Sequence, residues 1–265
     1  MQRIVYYVSD STGITAETVG HSLLAQFDGI DFKTVFMPYI DKGEKARELI
    51  AHLRALTERD GVRPIVFGTF VDDGIRALFS ADCCLYLELF DTFVGPLSKE
   101  LGIPPTRKLG RGHALTDPNH YDSRINSIHF AMANDDGMRP ENFDQADVIL
   151  TGVSRSGKTP TCLYLAMHFG LQAANYPLTE EDFEQGGVPQ ALLPIRHKLF
   201  GLTIDPERLH RIRQERRSNS AYASLQRCRN EVRMARAIFN KLGISVLDTT
   251  SHSIEEISSR IMKKL

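Results

Sequence analysis

The chain has 265 residues, of which 42% are hydrophobic and 25% are charged, and its formal net charge is -1. These proportions are ordinary for a folded globular protein and exclude a largely disordered chain. The near-neutral charge excludes an overall electrostatic attraction toward nucleic acid or an anionic membrane, although a local basic patch remains compatible with it. The length is sufficient for two modest domains.

The cysteines indicate a reducing environment. Their spacing matches neither a CxxC metal site nor a disulfide framework, so we expect reduced thiols. The cysteines are Cys83, Cys84, Cys162 and Cys228. The first ten residues, MQRIVYYVSD, lack the features of a signal peptide, and no run of about 18 apolar residues occurs. We therefore expect a cytoplasmic location without membrane spans.

Short β-rich runs alternate with amphipathic stretches along the first hundred residues. The predicted strands are 3–10, 32–39 and 63–70, and the predicted helices are 14–27, 44–59 and a short one over 72–79. Residues 83–90 fit either a strand or a buried helix. This alternation predicts an N-terminal α/β domain with a mostly parallel sheet. Residues 102–124 carry Pro, Gly and His without periodicity and are predicted to be linker-like.

A second alternating block begins near Asp147. Its predicted strands are 148–153, 172–178, 198–204 and 243–250, and its predicted helices are 159–170, 206–217, 221–243 and 253–265. Residues 179–197, rich in Glu, Gly and Pro, are predicted to be a loop. We divide the chain into an N-terminal α/β domain, 1–140, and a C-terminal α/β domain, 141–265.

The C-terminal block contains the motif G-x-x-x-x-G-K-T immediately after an apolar strand and before a helix. Its residues, all predicted to bind nucleotide, are Gly152, Val153, Ser154, Arg155, Ser156, Gly157, Lys158 and Thr159. Glycines let backbone N–H groups approach a polyphosphate, and the following helix N-terminus adds its dipole. In such a P-loop the lysine neutralises phosphate and the threonine hydroxyl ligates Mg2+. The alternative is a plain glycine-rich turn.

The motif does not define the reaction. A GTPase would show N-K-x-D, whereas the nearest string, 240–243, lacks the Asp. Asp205 fits a Walker B acid, but the sequence Asp-Pro-Glu also fits a helix N-cap, which we favour. A small kinase of the P-loop class is the best general interpretation.

Three further features have both a functional and a structural interpretation. The arginine-rich stretch 208–236 fits a phosphate-binding lid, a site for a phosphorylated partner, or a solvated helix face. The segment SDSTGITAE, 9–17, fits a second anion site or, as we prefer, a helix cap by Thr12 or Thr15. Asp135 and Asp136 fit Mg2+ ligands, a proton acceptor, or solvated loop acids.

Five segments, in this order, resemble the bacterial phosphoenolpyruvate synthase regulatory proteins, relatives of the pyruvate, phosphate dikinase regulatory proteins. The segments are YVSDSTGITAE, YDSRINSIHFAMANDDG, ADVILTGVSRSGKTPTCLYLA, ANYPL and HKLFGLTIDPERL. The resemblance covers essentially the whole chain. It implies a bifunctional enzyme that phosphorylates a threonine of phosphoenolpyruvate synthase with ADP and inactivates it. A phosphate-dependent reaction then removes the group as pyrophosphate.

This resemblance implies ADP and inorganic phosphate as substrates, Mg2+ as cofactor, and the synthase as protein partner. The dikinase is the alternative target. The sequence is also compatible with a small-molecule kinase and with a nucleotide-dependent regulatory module without catalysis. The paired α/β halves and the arginine-rich tail are compatible with a homodimer.

The candidate catalytic residues carry different expected roles. Lys158 is expected to bind the donor phosphate, Thr159 to bind the metal, and Arg155 to stabilise the transferred charge. Asp10, Asp135 and Asp136 lie in segments that match the family and are expected to position or deprotonate the threonine. The sequence does not rank these three acids.

Overall fold

The computed structural model describes residues 2–79, 82–106, 118–137, 140–218 and 220–265. The chain divides into two compact units, Met1–Leu115 and Thr116–Leu265. Each unit contains one four-stranded sheet whose neighbouring strands are all parallel. The predicted α/β class is therefore confirmed, while the predicted domain boundary at residue 140 stays a prediction.

The first unit alternates strands and helices. Its strands are β1 (Gln2–Ser9), β2 (Asp31–Met37), β3 (Ile65–Thr69) and β4 (Leu85–Glu88), and its helices are α1 (Ile14–Leu24), α2 (Gly43–Asp60), α3 (Asp73–Arg76) and α4 (Leu89–Leu101). The sheet order is β2-β1-β3-β4. The ambiguous segment 83–90 thus contains a strand that ends where α4 begins.

The central strand β1 shows how the first unit buries both faces of its sheet. Val5 and Tyr7 pack in one apolar cluster with Ala16 of α1. Their neighbours Tyr6 and Val8 pack in a second cluster on the opposite face. Successive side chains of a strand alternate between faces, so a continuous apolar run produces a strand covered on both sides.

The second unit repeats this strand arrangement. Its strands are β5 (Val148–Gly152), β6 (Ala173–Pro177), β7 (Leu199–Thr203) and β8 (Ser245–Asp248), and its helices are α5 (Pro118–Ala133), α6 (Lys158–Phe169), α7 (Glu180–Gln185), α8 (Pro206–Arg216), α9 (Leu225–Leu242) and α10 (Ile254–Met262). The sheet order is β6-β5-β7-β8. In both units the first strand of the sheet is therefore internal, with the second strand on one side and the third on the other.

Two stretches differ from the sequence-based prediction. The predicted loop 179–197 contains α7, because Thr179 and Asp182 form a reciprocal capping box that starts a helix. The predicted linker-like segment ends inside α5, and its residues 107–117 lie outside the described residues. No helix in the described part of the chain is long and apolar enough to span a membrane.

Candidate active site

The motif residues Gly152–Thr159, called the 152–159 loop below, connect the end of β5 to the start of α6. Gly152 has a φ of 153°, and a Cβ on it would lie 2.3 Å from the carbonyl oxygen of Leu202. Arg155 and Gly157 also have positive φ angles, 73° and 91°. A side chain at residue 152 would collide with backbone, so this position requires glycine. The loop therefore turns sharply against β7.

Lys158 belongs to the loop, and its side chain is buried, with only 4% of the residue exposed. Its Nζ donates a hydrogen bond to the carbonyl oxygen of Val153 at 2.9 Å. Burial lowers the pKa of Lys158 to about 8, and the nearby Asp136 carboxylate opposes that shift. An ammonium group held in this way gains stabilisation from an anion placed at the loop.

The loop has further groups suited to an anion. The Ser156 hydroxyl is buried, and no hydrogen-bond partner for it exists in the part of the chain that the structure describes. The helix α6 begins after Gly157 without a side-chain cap. An unpartnered buried hydroxyl and an uncapped helix N-terminus fit a bound phosphate group, which accepts hydrogen bonds from both.

Oxygen atoms of three side chains gather beside the start of α6. The hydroxyl of Thr159 donates to Oδ1 of Asp135 at 2.9 Å. Asp135 and Asp136 lie in a turn that follows α5, where Asp136 adopts the left-handed conformation with a φ of 51°. The buried amide of Asn175 on β6 contacts both carboxylates and the threonine hydroxyl. We call these oxygens, of Asp135, Asp136 and Thr159, the oxygen cluster.

The oxygen cluster fits Mg2+. Carboxylate and hydroxyl oxygens are its preferred protein ligands, and Mg2+ is usually held by one or two carboxylates together with substrate phosphates. The described residues include no group of three or more His, Cys, Asp or Glu arranged to bind a metal by themselves. Thr159 and Asp135 are the residues that would hold the ion.

Arg213 of α8 anchors the loop from below. It is fully buried and forms an ion pair with Glu231 of α9 at 2.6 Å. The same guanidinium donates to the carbonyl oxygens of Ser154 and Tyr222, both at 3.1 Å. The Tyr222 ring stacks on it at 4.1 Å, and the Tyr222 hydroxyl donates to Oγ of Ser154 at 2.8 Å. This network fixes the loop backbone.

The arginines of the stretch 208–236 therefore have different structural roles. Arg213 is part of the support of the loop, an arrangement that none of the three sequence-based interpretations included. Arg227 and Arg229 form the more exposed pairs that a solvated helix face predicts, the first with Glu231 and the second with Glu207. The 3.6-residue periodicity cannot distinguish these positions, because all carry the same side chain.

Asp10 belongs to the first unit, unlike Asp135 and Asp136. Its Oδ2 accepts hydrogen bonds from the backbone N–H groups of Val71 and Asp72, at 2.6 and 3.2 Å. The carboxylate thereby joins the loop after β1 to the loop after β3. Asp135 and Asp136, in contrast, contact the motif or its amide neighbour directly.

Two capping predictions have different outcomes. Oδ1 of Asp205 accepts hydrogen bonds from the backbone N–H groups of Glu207 and Arg208, so the N-cap interpretation is confirmed. The predicted cap of α1 by Thr12 or Thr15 is wrong. Gly13 occupies the N-cap position with a φ of 75°, and no side chain caps the helix. A glycine reaches this left-handed conformation without strain.

A buried lysine, an unpartnered buried hydroxyl and an uncapped helix N-terminus lie beside a cluster of oxygen atoms, and this arrangement favours a class of phosphoryl-transferring proteins. The family model described as Kinase/pyrophosphorylase matches residues 5–262. The chain belongs to this kinase/pyrophosphorylase family and is a phosphotransferase.

Curated relatives match nearly the whole chain, and each is named "Putative phosphoenolpyruvate synthase regulatory protein". The relative from Thiocapsa roseopersicina is 62% identical over 265 residues, covering 100% of this chain and 98% of the relative. Those from Chromohalobacter salexigens and Alcanivorax borkumensis are 53% and 51% identical, each covering 99% of this chain and 96% of the relative. The resemblance stated from the sequence is confirmed.

Proposed function

We propose that the protein is a cytoplasmic, bifunctional serine/threonine kinase and phosphorylase that regulates phosphoenolpyruvate synthase. The observation that carries the proposal is the buried Lys158 of the 152–159 loop, which is followed directly by Thr159 of the oxygen cluster. Phosphoryl transfer depends mostly on positioning and charge stabilisation, and this site offers both. The names of the relatives support the synthase as the target.

The proposed forward reaction uses ADP as phosphoryl donor. The target threonine oxygen attacks the β-phosphorus, the bond from that phosphorus to the bridging oxygen breaks, and AMP leaves. Lys158 and the loop bind the β-phosphoryl group, and the exposed Arg155 stabilises its charge. Thr159 and Asp135 would hold Mg2+, which when bound would neutralise charge on the phosphates.

Asp136 is the best placed of the three acids to accept the threonine proton. Its side chain is exposed, whereas Asp135 is engaged by the Thr159 hydroxyl and by the Asn175 amide. The two backbone hydrogen bonds that Oδ2 of Asp10 accepts give that acid a structural role. A base must be accessible to the incoming hydroxyl group.

The reverse reaction is proposed to use the same loop. An oxygen of inorganic phosphate attacks the phosphothreonine phosphorus, the bond to the threonine oxygen breaks, that oxygen takes up a proton, and pyrophosphate leaves. If one loop serves both reactions, phosphate and ADP compete for binding. Isothermal titration of ADP at increasing phosphate concentrations measures this, and fully independent binding would contradict a shared site.

One experiment tests the proposed function as a whole. The protein is incubated with the synthase, phosphoenolpyruvate and ADP, and mass spectrometry locates new phosphothreonine while chromatography follows AMP. We expect one modified threonine and an equal amount of AMP. Modification of the dikinase alone would change the target. Turnover only with ATP and a metabolite would indicate a small-molecule kinase, and ADP binding without transfer would indicate a regulatory module.

A further inference from the structure

We infer that Asn175 is a positioning residue that sets the arrangement of the oxygen cluster for cation-dependent nucleotide binding. This inference rests on the proposed function and deepens it. Nδ2 of Asn175 lies 2.5 Å from Oδ1 of Asp135, 3.0 Å from Oγ1 of Thr159 and 3.2 Å from Oδ1 of Asp136. One amide nitrogen therefore contacts all three residues of the cluster.

The Asn175 amide has fewer N–H groups than oxygen neighbours, so its hydrogen bonds can change partner. A primary amide has two N–H groups, but three oxygens lie within hydrogen-bond distance of Asn175. The shortest contact is to Asp135, which also accepts the proton of the Thr159 hydroxyl. The second N–H is then shared between Thr159 and Asp136. If the lone pairs of the Thr159 oxygen are directed to a cation, that N–H is released to Asp136.

The surroundings of Asn175 hold its amide next to the oxygen cluster. The residue is 1% exposed and lies on β6, where it is paired in register with Leu150 of the loop strand β5. Its backbone N–H donates to the carbonyl oxygen of Asn134 at 3.1 Å, which places β6 next to the residue that precedes Asp135. The strand thus brings the amide to the acid turn and to α6 together.

The orientation of the Asn175 amide places its donor, and not its carbonyl oxygen, at the oxygen cluster. Oδ1 of Asn175 is buried and has no hydrogen-bond partner among the described residues. Rotating the amide by half a turn would direct Oδ1 at the carboxylate oxygens of Asp135 and Asp136, which would repel it. The oxygens therefore determine the orientation, and the carbonyl group is left unsatisfied. Oδ1 of Asn134 also lacks a partner among the described residues, so the two asparagines differ in what their amide nitrogens contact: the oxygen cluster for Asn175 and one backbone carbonyl oxygen for Asn134.

The test compares Asn175→Ala with Asn134→Ala by titrating ADP with and without Mg2+. Asn134 is a matched control, because it is also 1% exposed and its side chain donates to a backbone carbonyl oxygen, that of Phe130, at 2.9 Å. In wild type, Mg2+ is expected to tighten ADP binding. In Asn175→Ala we expect the Mg2+-dependent gain in ADP affinity to be smaller by about tenfold or more, while the ADP affinity measured without Mg2+ changes less than about twofold. Asn134→Ala is expected to retain the gain.

A second variant keeps the test decisive if the alanine variant does not fold. Asn175→Leu has a similar volume and no donor, and it is expected to show the same loss of the Mg2+-dependent gain. Retention of the full gain in either Asn175 variant overturns the inference. An equal loss in Asn134→Ala also overturns the inference, because packing alone would then explain the effect. The inference is likewise overturned if Mg2+ does not change the ADP affinity of the wild type. Failure of wild type to bind ADP would instead overturn the proposed function.

Discussion

The two units share a topology but differ in the chemistry of the loop after their first strand. Both sheets have the order second, first, third and fourth strand. In both units the helix after the first strand starts at a glycine with positive φ, Gly13 at 75° and Gly157 at 91°, and neither helix has a side-chain cap. The two units therefore share an uncapped helix N-terminus that begins at a left-handed glycine.

The two buried polar side chains at the end of β1 and the start of the first loop are paired, whereas the second loop keeps an unpaired buried hydroxyl. Ser9 donates to the carbonyl oxygen of Thr69, and Asp10 accepts two backbone hydrogen bonds. In the 152–159 loop, Ser156 has no partner in the described structure and burial lowers the pKa of Lys158. A shared topology thus provides a sheet edge, while an unpaired polar group and a buried cation create the site.

Replacing Lys158 is the strongest test of this difference. We expect Lys158→Ala to lower both the ADP-dependent and the phosphate-dependent activity by about a hundredfold or more, because it removes the buried cation that faces the phosphates. The control is Lys45→Ala, which removes an exposed ammonium of the first unit that pairs with Asp41. Both activities are measured with synthase as substrate. A normal rate in either direction would contradict one shared loop.

Removing Arg213 tests whether the second loop depends on its buried support. Arg213→Ala leaves the buried Glu231 paired with Arg227 alone and removes the donor to the Ser154 carbonyl oxygen. Losing hydrogen bonds of a charged group in this way costs about 1.5–3 kcal/mol of unfolding free energy. Urea denaturation, monitored by hydrogen exchange of backbone amides, measures the unfolding free energy of each unit. We expect the second unit alone to be destabilised, whereas Arg59→Ala, which breaks an exposed pair in the first unit, has no measurable effect. Equal destabilisation of both units would refute a local role.

Two conservative substitutions distinguish the role of Asp135 in the second unit from that of Asp10 in the first. Asp135→Asn removes the charge that accepts the Thr159 hydroxyl, so we expect transfer to fall about 10- to 100-fold. Asp10→Asn keeps an oxygen for the backbone N–H groups of Val71 and Asp72, and we expect a nearly normal rate. ADP binding is measured separately for each variant. A larger rate loss in Asp10→Asn would move catalysis to the first unit.

Local signals explain what the sequence predicted well. The 152–159 loop and the cap by Asp205 depend on residues next to one another, and apolar periodicity indicated most strands and helices. The contacts that complete the site join distant positions. Asn175 lies 40 residues from Asp135, and Arg213 lies 59 residues from Ser154. No spacing rule connects such residues, because the order of strands in the sheet decides which of them meet.

The titration of Lys158 gives a pH test of the same contrast. Because the folded pKa of about 8 lies below the usual lysine value of 10.5, the unfolded chain binds more protons between these pH values. Lys158 thus contributes stability to the free second unit that rises with pH above about 8. Burial raises the pKa of Cys162 and of Cys228 above the usual thiol value of 9.0, which opposes this rise at higher pH, so the effect of Lys158 is measured most directly below about pH 9. Anion binding requires the ammonium form, so ADP affinity should fall about tenfold between about pH 7.5 and 9.

Calorimetry of ADP binding across this pH range measures the effect, with Lys158→Ala as the control that should show a flat profile. A wild-type affinity that stays constant up to about pH 10, near the ordinary pKa of lysine, would mean that the loop does not use the charge of Lys158. The first unit should show no matching rise in stability, since burial raises the pKa of Cys84 to about 12 and its contribution to stability is lost as pH rises above about 9.

The smallest expected effect concerns two tyrosine hydroxyls, one in each unit. Tyr222→Phe removes the hydrogen bond to Ser154 but keeps the ring on Arg213, and it should cost about 1 kcal/mol of stability. Tyr6→Phe removes a similar bond, between the Tyr6 hydroxyl and His52. Because only Tyr222 contacts the 152–159 loop, ADP affinity should fall severalfold in Tyr222→Phe and remain unchanged in Tyr6→Phe. Equal ADP affinities in the two variants would show that the loop keeps its shape without this contact, and its rigidity would then depend on Arg213 alone.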